Sequence, residues 1–247
     1  MAKKSLPSTE FARFAALPRG EIRDRAIKIF VRSQASWSYE PTRSYLPEIL
    51  RDQACFNLPI ADAPWDVVQA NILSKCSKIA IQREQNCLKA KALFDFWRHE
   101  GWTSIRNTDL PPGMINPSHG YTRFWDDRLC VISETELFVP FIDFRSSNTG
   151  LNADAREVVF SVQDWLIRQS LPELEDVILS VIRFEGTKET GFTVTPYFHA
   201  GAVRWSPDEL SEMMIEVYAD WVRVATEHEQ TNRRTGTNDG RNFELDL

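Results

Sequence analysis

An α+β fold is expected: a helical N-terminal layer packed with a small mixed or antiparallel sheet that is itself covered by helices. Three observations predict it. Apolar residues recur at helical intervals through the first hundred positions. The pattern then shortens to runs rich in aromatic and β-branched residues. Helical patterns return twice, once between strands and once after them. Three regions follow: a mainly helical stretch over 1–110, a strand–strand–helix–strand–strand–helix unit over 111–229, and a flexible polar tail over 230–247.

Residues 1–18 read as a loose leader, although Phe11, Phe14 and Leu17 are helically spaced. Glu21 to Ser33 reads as a helix with Ile22, Ala26, Ile29 and Phe30 facing the core and Arg23, Arg25, Lys28 and Arg32 mostly off that face. Thr42 to Phe56 is a weaker, Pro-interrupted helical stretch. From Asp62 to Glu100 one long helical pattern runs, broken at most once, with Pro64 suiting its first turn and Gly101 its stop. A loop rich in Pro, Gly and Asn follows, from Thr108 to Gly120.

Tyr121 to Cys130 and Val131 to Arg145 read as strands. Asn152 is a candidate cap for a helix over 153–169, whose apolar stripe is Val158, Val159, Val162, Trp165 and Leu166. Val177 to Glu185 and Gly191 to His199 read as two further strands. Ser206-Pro207-Asp208-Glu209 is a capping box with Pro at the first helical position. It opens a helix expected to reach about His228, after which the polar tail should be mobile.

Composition narrows the function classes. Hydrophobic residues make up 43% and charged residues 26%, with eight Trp and fifteen Phe for a core, so the body is not disordered. No apolar run reaches the roughly 18 residues of a membrane span. The lysines near the start precede no apolar segment, so a cytoplasmic location is expected. The four cysteines form no C-x-x-C pair and read as reduced thiols. Phosphate-loop, dinucleotide and zinc-protease motifs are absent, as is the serine-hydrolase elbow. The four histidines are dispersed.

Charge is distributed unevenly. Residues 1–100 hold 16 Lys and Arg against 11 Asp and Glu, whereas the remaining 147 hold 13 against 24. A basic front and an acidic back either orient the molecule toward an anionic partner or pack on one another. On the first reading the chain is a non-enzymatic cytosolic interaction protein. Its basic N-terminal helices, with Arg23, Lys28 and Arg32 foremost, would contact a protein or nucleic acid without a cofactor. Phe30, Trp37, Tyr39 and Tyr45 lie among these cations and would stack on unpaired bases if exposed. The final Asn242-Phe243-Glu244-Leu245-Asp246-Leu247, alternating apolar and acidic, would dock on a partner as a short strand or peptide.

A second reading centres on Leu137-Phe-Val-Pro-Phe-Ile-Asp-Phe-Arg145. Alternation puts Leu137, Val139, Phe141, Asp143 and Arg145 on one side. An acid and a base two apart at a strand end, within strands, helix and strand over about 92–185, resemble the PD-(D/E)XK, or restriction-endonuclease-like, nuclease family. That resemblance implies a Mg²⁺ or Mn²⁺ ion held by Asp143 and an upstream acid, Asp127 or Asp126, with Glu136 nearby and Arg145 as the basic residue. Arg145 stands where the family usually has Lys, and Pro140 argues for an edge strand or bulge. The domain could therefore be an intact or a degenerate nuclease. Alternatively, Asp143 and Arg145 form a structural ion pair.

Overall fold

The strand patterns of the second half, joined by one earlier strand, assemble into a mixed sheet between two helical layers. The computed structural model describes residues 6–32, 38–51, 62–106, 114–115, 122–123, 129–133, 136–145 and 149–235. The helices of the first half are α1 (Ser8–Ala15), α2 (Glu21–Arg32), α3 (Glu40–Arg43), α4 (Leu46–Ile49), α5 (Trp65–Lys75) and α6 (Ala80–His99). The strands are β1 (Thr103–Arg106), β2 (Met114–Ile115), β3 (Thr122–Arg123), β4 (Leu129–Ile132), β5 (Leu137–Asp143), β6 (Ile178–Thr187) and β7 (Gly191–His199). Helix α7 (Ala153–Gln163) links β5 to β6, and α8 (Pro207–Thr235) follows β7.

The main sheet has the order β1-β4-β5-β6-β7. Only β5 and β6 are parallel, with Asp143, the last residue of β5, beside Arg183 in the middle of β6. β2 and β3 form a separate two-stranded piece. The expected α+β architecture is thus present. Alternating side chains sort onto two cores. Cys130, Val139, Phe141, Leu179 and Val181 pack in one cluster with α1, α2, α7 and α8. Val131, Phe138, Ile142, Ile182 and Phe184 pack in the other, with α4, α5 and α6. Phe138 to Asp143 are all buried, because both faces of this strand are covered.

Several expectations need correction. The leader is a helix: in α1, Phe11 and Phe14 are fully buried in the first core. β1 has no counterpart in the sequence reading. Its four residues follow Gly101, whose φ of +67° ends α6 in a left-handed turn. Pro140 lies in the middle strand of the sheet, not at an edge. The antiparallel ladder from β4 is formed only at Phe138 and Leu137, so Pro140 stands beyond it. The long helical pattern breaks once, at Cys76 to Ile79, as the sequence allowed, but Val67 and Ile79 of its apolar stripe are exposed.

α7 begins as expected, with Asn152 Oδ1 accepting from the Ala155 N–H at 2.9 Å. It ends in a π-helical turn, Asp164–Arg168. That wider turn aims Arg168 at three carbonyls, those of Val177, His199 and Gly201, tying the helix end to the sheet. Val158, Val159 and Val162 of the expected stripe are buried, while Trp165 and Leu166 are half-buried against the same core. The capping box forms: the Ser206 N–H and hydroxyl both donate to Glu209 Oε2 at 2.9 Å. α8 then runs to Thr235, seven residues past the expected end. The rest of the tail, 236–247, lies outside the described residues.

Candidate functional site

Strand alternation carries Asp143 and Arg145 to the face that α1 covers. Asp143 is fully buried and accepts four hydrogen bonds. Arg145 supplies three, from Nε at 2.9 Å, from Nη2 at 3.3 Å and from its backbone N–H at 3.2 Å. The Leu151 N–H supplies the fourth, at 2.8 Å. The same guanidinium reaches across to α1, where Nη1 donates to Glu10 Oε1 at 3.0 Å. Glu10 is held from its other oxygen by Arg13 at 2.7 Å. Burial pushes the Asp143 carboxyl up. The charge and hydrogen bonds of Arg145, with the N–H donors of Leu151 and Arg145, more than offset this and hold it below the usual carboxylate range.

Lys89 approaches this cluster from the opposite layer, and the sequence reading missed it. Its side chain is 1% exposed, and Nζ donates to the Phe144 carbonyl. The ammonium lies 4.6 Å from the ring centre of Tyr39, 5.0 Å from that of Phe192 and 5.5 Å from that of Phe184. Burial lowers the Lys89 pKa to about 8; Asp143 opposes the shift and Arg145 adds to it. Leu88 to Leu93 holds two lysines, Lys89 and Lys91, and nothing in the sequence separates the buried one from the exposed one. Burial, then the Asp143 charge, raises the Tyr39 hydroxyl well above its usual range.

Chemically this end of β5 is an ion cluster whose members satisfy one another. A cation at Asp143 would have to displace Arg145, leaving that guanidinium partly buried beside Glu10 alone. Among the described residues no group of three or more His, Cys, Asp or Glu side chains could hold a metal ion. Asp126 and Asp127, the second carboxylates of the nuclease reading, lie outside the described residues. Glu136 is exposed just before the start of the strand, seven positions from Asp143. The geometry gives the structural ion pair.

The basic N-terminal residues divide into two sets. Arg23 is 5% exposed and faces inward. It donates to Asp220 at 3.3 Å and to the Leu17 carbonyl at 3.0 Å. Arg19 pairs with Glu216 at 2.8 Å, and Arg223 of α8 returns a bond to Asp24 at 2.6 Å. The constant offset of the first two pairs sets α2 and α8 side by side in the same direction. The basic front thus packs on the acidic back.

Arg25, Lys28 and Arg32 point to solvent instead. So do Ile22 and Ile29, each 57% exposed, whereas Ile27 and Val31 are buried. The core face of this helix is therefore rotated from the expected one. The described aromatics among these cations, Phe30, Tyr39 and Tyr45, pack against the protein's own core. Phe30 packs on Phe14 and Trp221, and Tyr39 stacks on Phe144. Tyr45 joins the second core, and Trp37 lies outside the described residues.

Residues 9–231 match the family described as sliding clamp-binding bacterial toxin SocB. The chain is 30% identical over 239 residues to the DNA replication inhibitor toxin SocB of Caulobacter vibrioides (strain NA1000 / CB15N), covering 96% of this chain and 97% of that protein. No solved structure matches the chain.

Proposed function

This chain belongs to the family of sliding clamp-binding bacterial toxins, and we propose that it binds a bacterial sliding clamp and so inhibits DNA replication. The observation that carries this reading is the span of the match. Residues 9–231 take in both helical layers and every strand of the main sheet, so the likeness is to a whole fold and not to one motif. Action on replication puts the protein in the cytoplasm, where the bacterial chromosome is copied. No described helix is long and apolar enough to cross a membrane.

Binding, not catalysis, is the proposed mode of action. The acid-and-base pair of β5 supports this, because its hydrogen-bonding capacity is taken up internally. The contact is proposed to lie on the N-terminal helices, where Lys28 and Arg32 are exposed. Biolayer interferometry with the purified clamp of the same bacterium tests the proposal. Saturable binding is expected, together with arrest of a reconstituted replication reaction that excess clamp relieves. No binding at micromolar clamp overturns it. Equal binding to clamp-free DNA would favour a nucleic-acid partner instead.

A further inference from the structure

We infer that two copies of this chain pair through the outward face of α8, the helices running antiparallel about a two-fold axis at Ala219. The inward face of α8 is accounted for: Leu210, Val217, Tyr218 and Trp221 are buried in the first core. The opposite face carries Glu212, Ile215, Ala219, Val222 and Thr226, all exposed. Their spacing alternates between three and four residues, the interval of a helix-pairing seam. Ile215 is 58% exposed and Val222 47%. They stand about 10.5 Å apart along the helix. Single aliphatic side chains on a surface are ordinary, but these two flank an alanine in one line. Ala219 at the centre lets a second helix approach closely.

Charge complementarity selects the occupant. Glu212 and Glu216 lie on the amino-terminal side of Ala219 and Arg223 on the carboxyl-terminal side. Arg223 bonds Asp24 and Asp220 within its own chain, yet its side chain remains 43% exposed. A purely acidic partner would meet Glu212 and Glu216, and a purely basic one would meet Arg223. Nucleic acid would face the carboxylates with no free aromatic ring to stack on. The matching surface has both signs in reversed order, and α8 turned end for end supplies it. Ile215 of each copy then meets Val222 of the other across Ala219. Arg223 comes level with Ile215 of the second copy, within one turn of its Glu212 and Glu216. The outward face of α2 takes no part in this seam, so the inference does not depend on the clamp reading.

Sedimentation velocity of the full chain at rising concentration tests this, with thermal melts of dilute samples as a check on folding. One helix pair is a small interface, so the wild type should pass from monomer to dimer with a midpoint on the order of ten micromolar. Ile215→Asp/Val222→Asp should raise that midpoint about ten-fold or more without lowering the melting temperature. Glu212→Lys, which sets a cation against Arg223 of the other copy, should raise it by less. Ala219→Cys should give a disulfide-linked dimer on air oxidation, above the background of the wild type and of Arg25→Cys on α2. A wild type that stays monomeric at about 1 mM overturns the inference. So does a dimer whose midpoint is unchanged by Ile215→Asp/Val222→Asp, or one that Arg25→Cys cross-links and Ala219→Cys does not.

Discussion

The carboxyl end of β5 and the outer face of α2 carry the same residue types in opposite circumstances. At β5, Asp143, Arg145, Glu10 and Arg13 form a chain in which each charge has its counter-charge within hydrogen-bonding distance. On α2, Arg25, Lys28 and Arg32 have none among the described residues, and two large aliphatic side chains beside them face solvent. A residue pattern that looks catalytic can thus be structural, while a pattern that looks like a core stripe faces outward. Burial and partners separate the two cases. In a family whose members act through a protein interaction, the unsatisfied surface is the better guide to function.

The comparison can be broken most directly at Arg145. Arg145→Met leaves the buried Asp143 and Glu10 without their shared cation and should cost about 3–5 kcal/mol in urea unfolding. Adding Asp143→Asn to that variant should recover part of the loss, because the uncompensated charge is then gone. A loss below about 1 kcal/mol would mean that the cluster does not hold α1 to the sheet.

Acid tests the same site more gently. The Asp143 carboxyl is held below the ordinary carboxylate range. Its contribution is fully present above the unfolded pKa of about 3.9 and is lost as pH falls through the folded value. Wild-type stability should therefore fall more steeply below pH 4 than that of the Asp143→Asn/Arg145→Met variant. Superimposable curves would show that Asp143 does not carry the acid sensitivity.

Lys89 should show the opposite sign. Its folded pKa is lowered to about 8, against an unfolded value of about 10.4. Over that window the unfolded chain binds more protons, so stability rises with pH as Lys89 sheds its proton. Relative to Lys89→Met, the wild type should gain stability between pH 7.5 and pH 10, on the order of 1 kcal/mol or more. An unchanged difference between the two proteins would put the ammonium in a wetter place than the aromatic cage.

The smallest effect belongs to the outer face. Lys28→Ala and Arg32→Ala should each change stability by no more than about 0.5 kcal/mol, since both side chains are exposed and have no ion pair among the described residues. A loss near that of Arg145→Met would erase the distinction between the two regions.

Local chemistry determined much of this protein from the sequence alone. Gly101, Asn152 and the Ser206–Glu209 box act within a few residues, through a left-handed turn and short-range hydrogen bonds, and their boundaries were legible. So were β7, the covering helix α7, and the alternation that puts Asp143 and Arg145 on one side of β5. What faces what was not legible. In Glu21–Arg32, apolar residues at 22, 26, 27, 29, 30 and 31 allow more than one core stripe. The stripe is chosen by Arg23 meeting Asp220, 197 residues away. β1 is too short to announce itself and exists because β4 pairs with it. Lys89 and Glu10 look like ordinary surface charges until two layers close on the end of β5. Backbone conformation responds to nearest neighbours, but burial and ion pairing depend on groups that only the folded chain brings together.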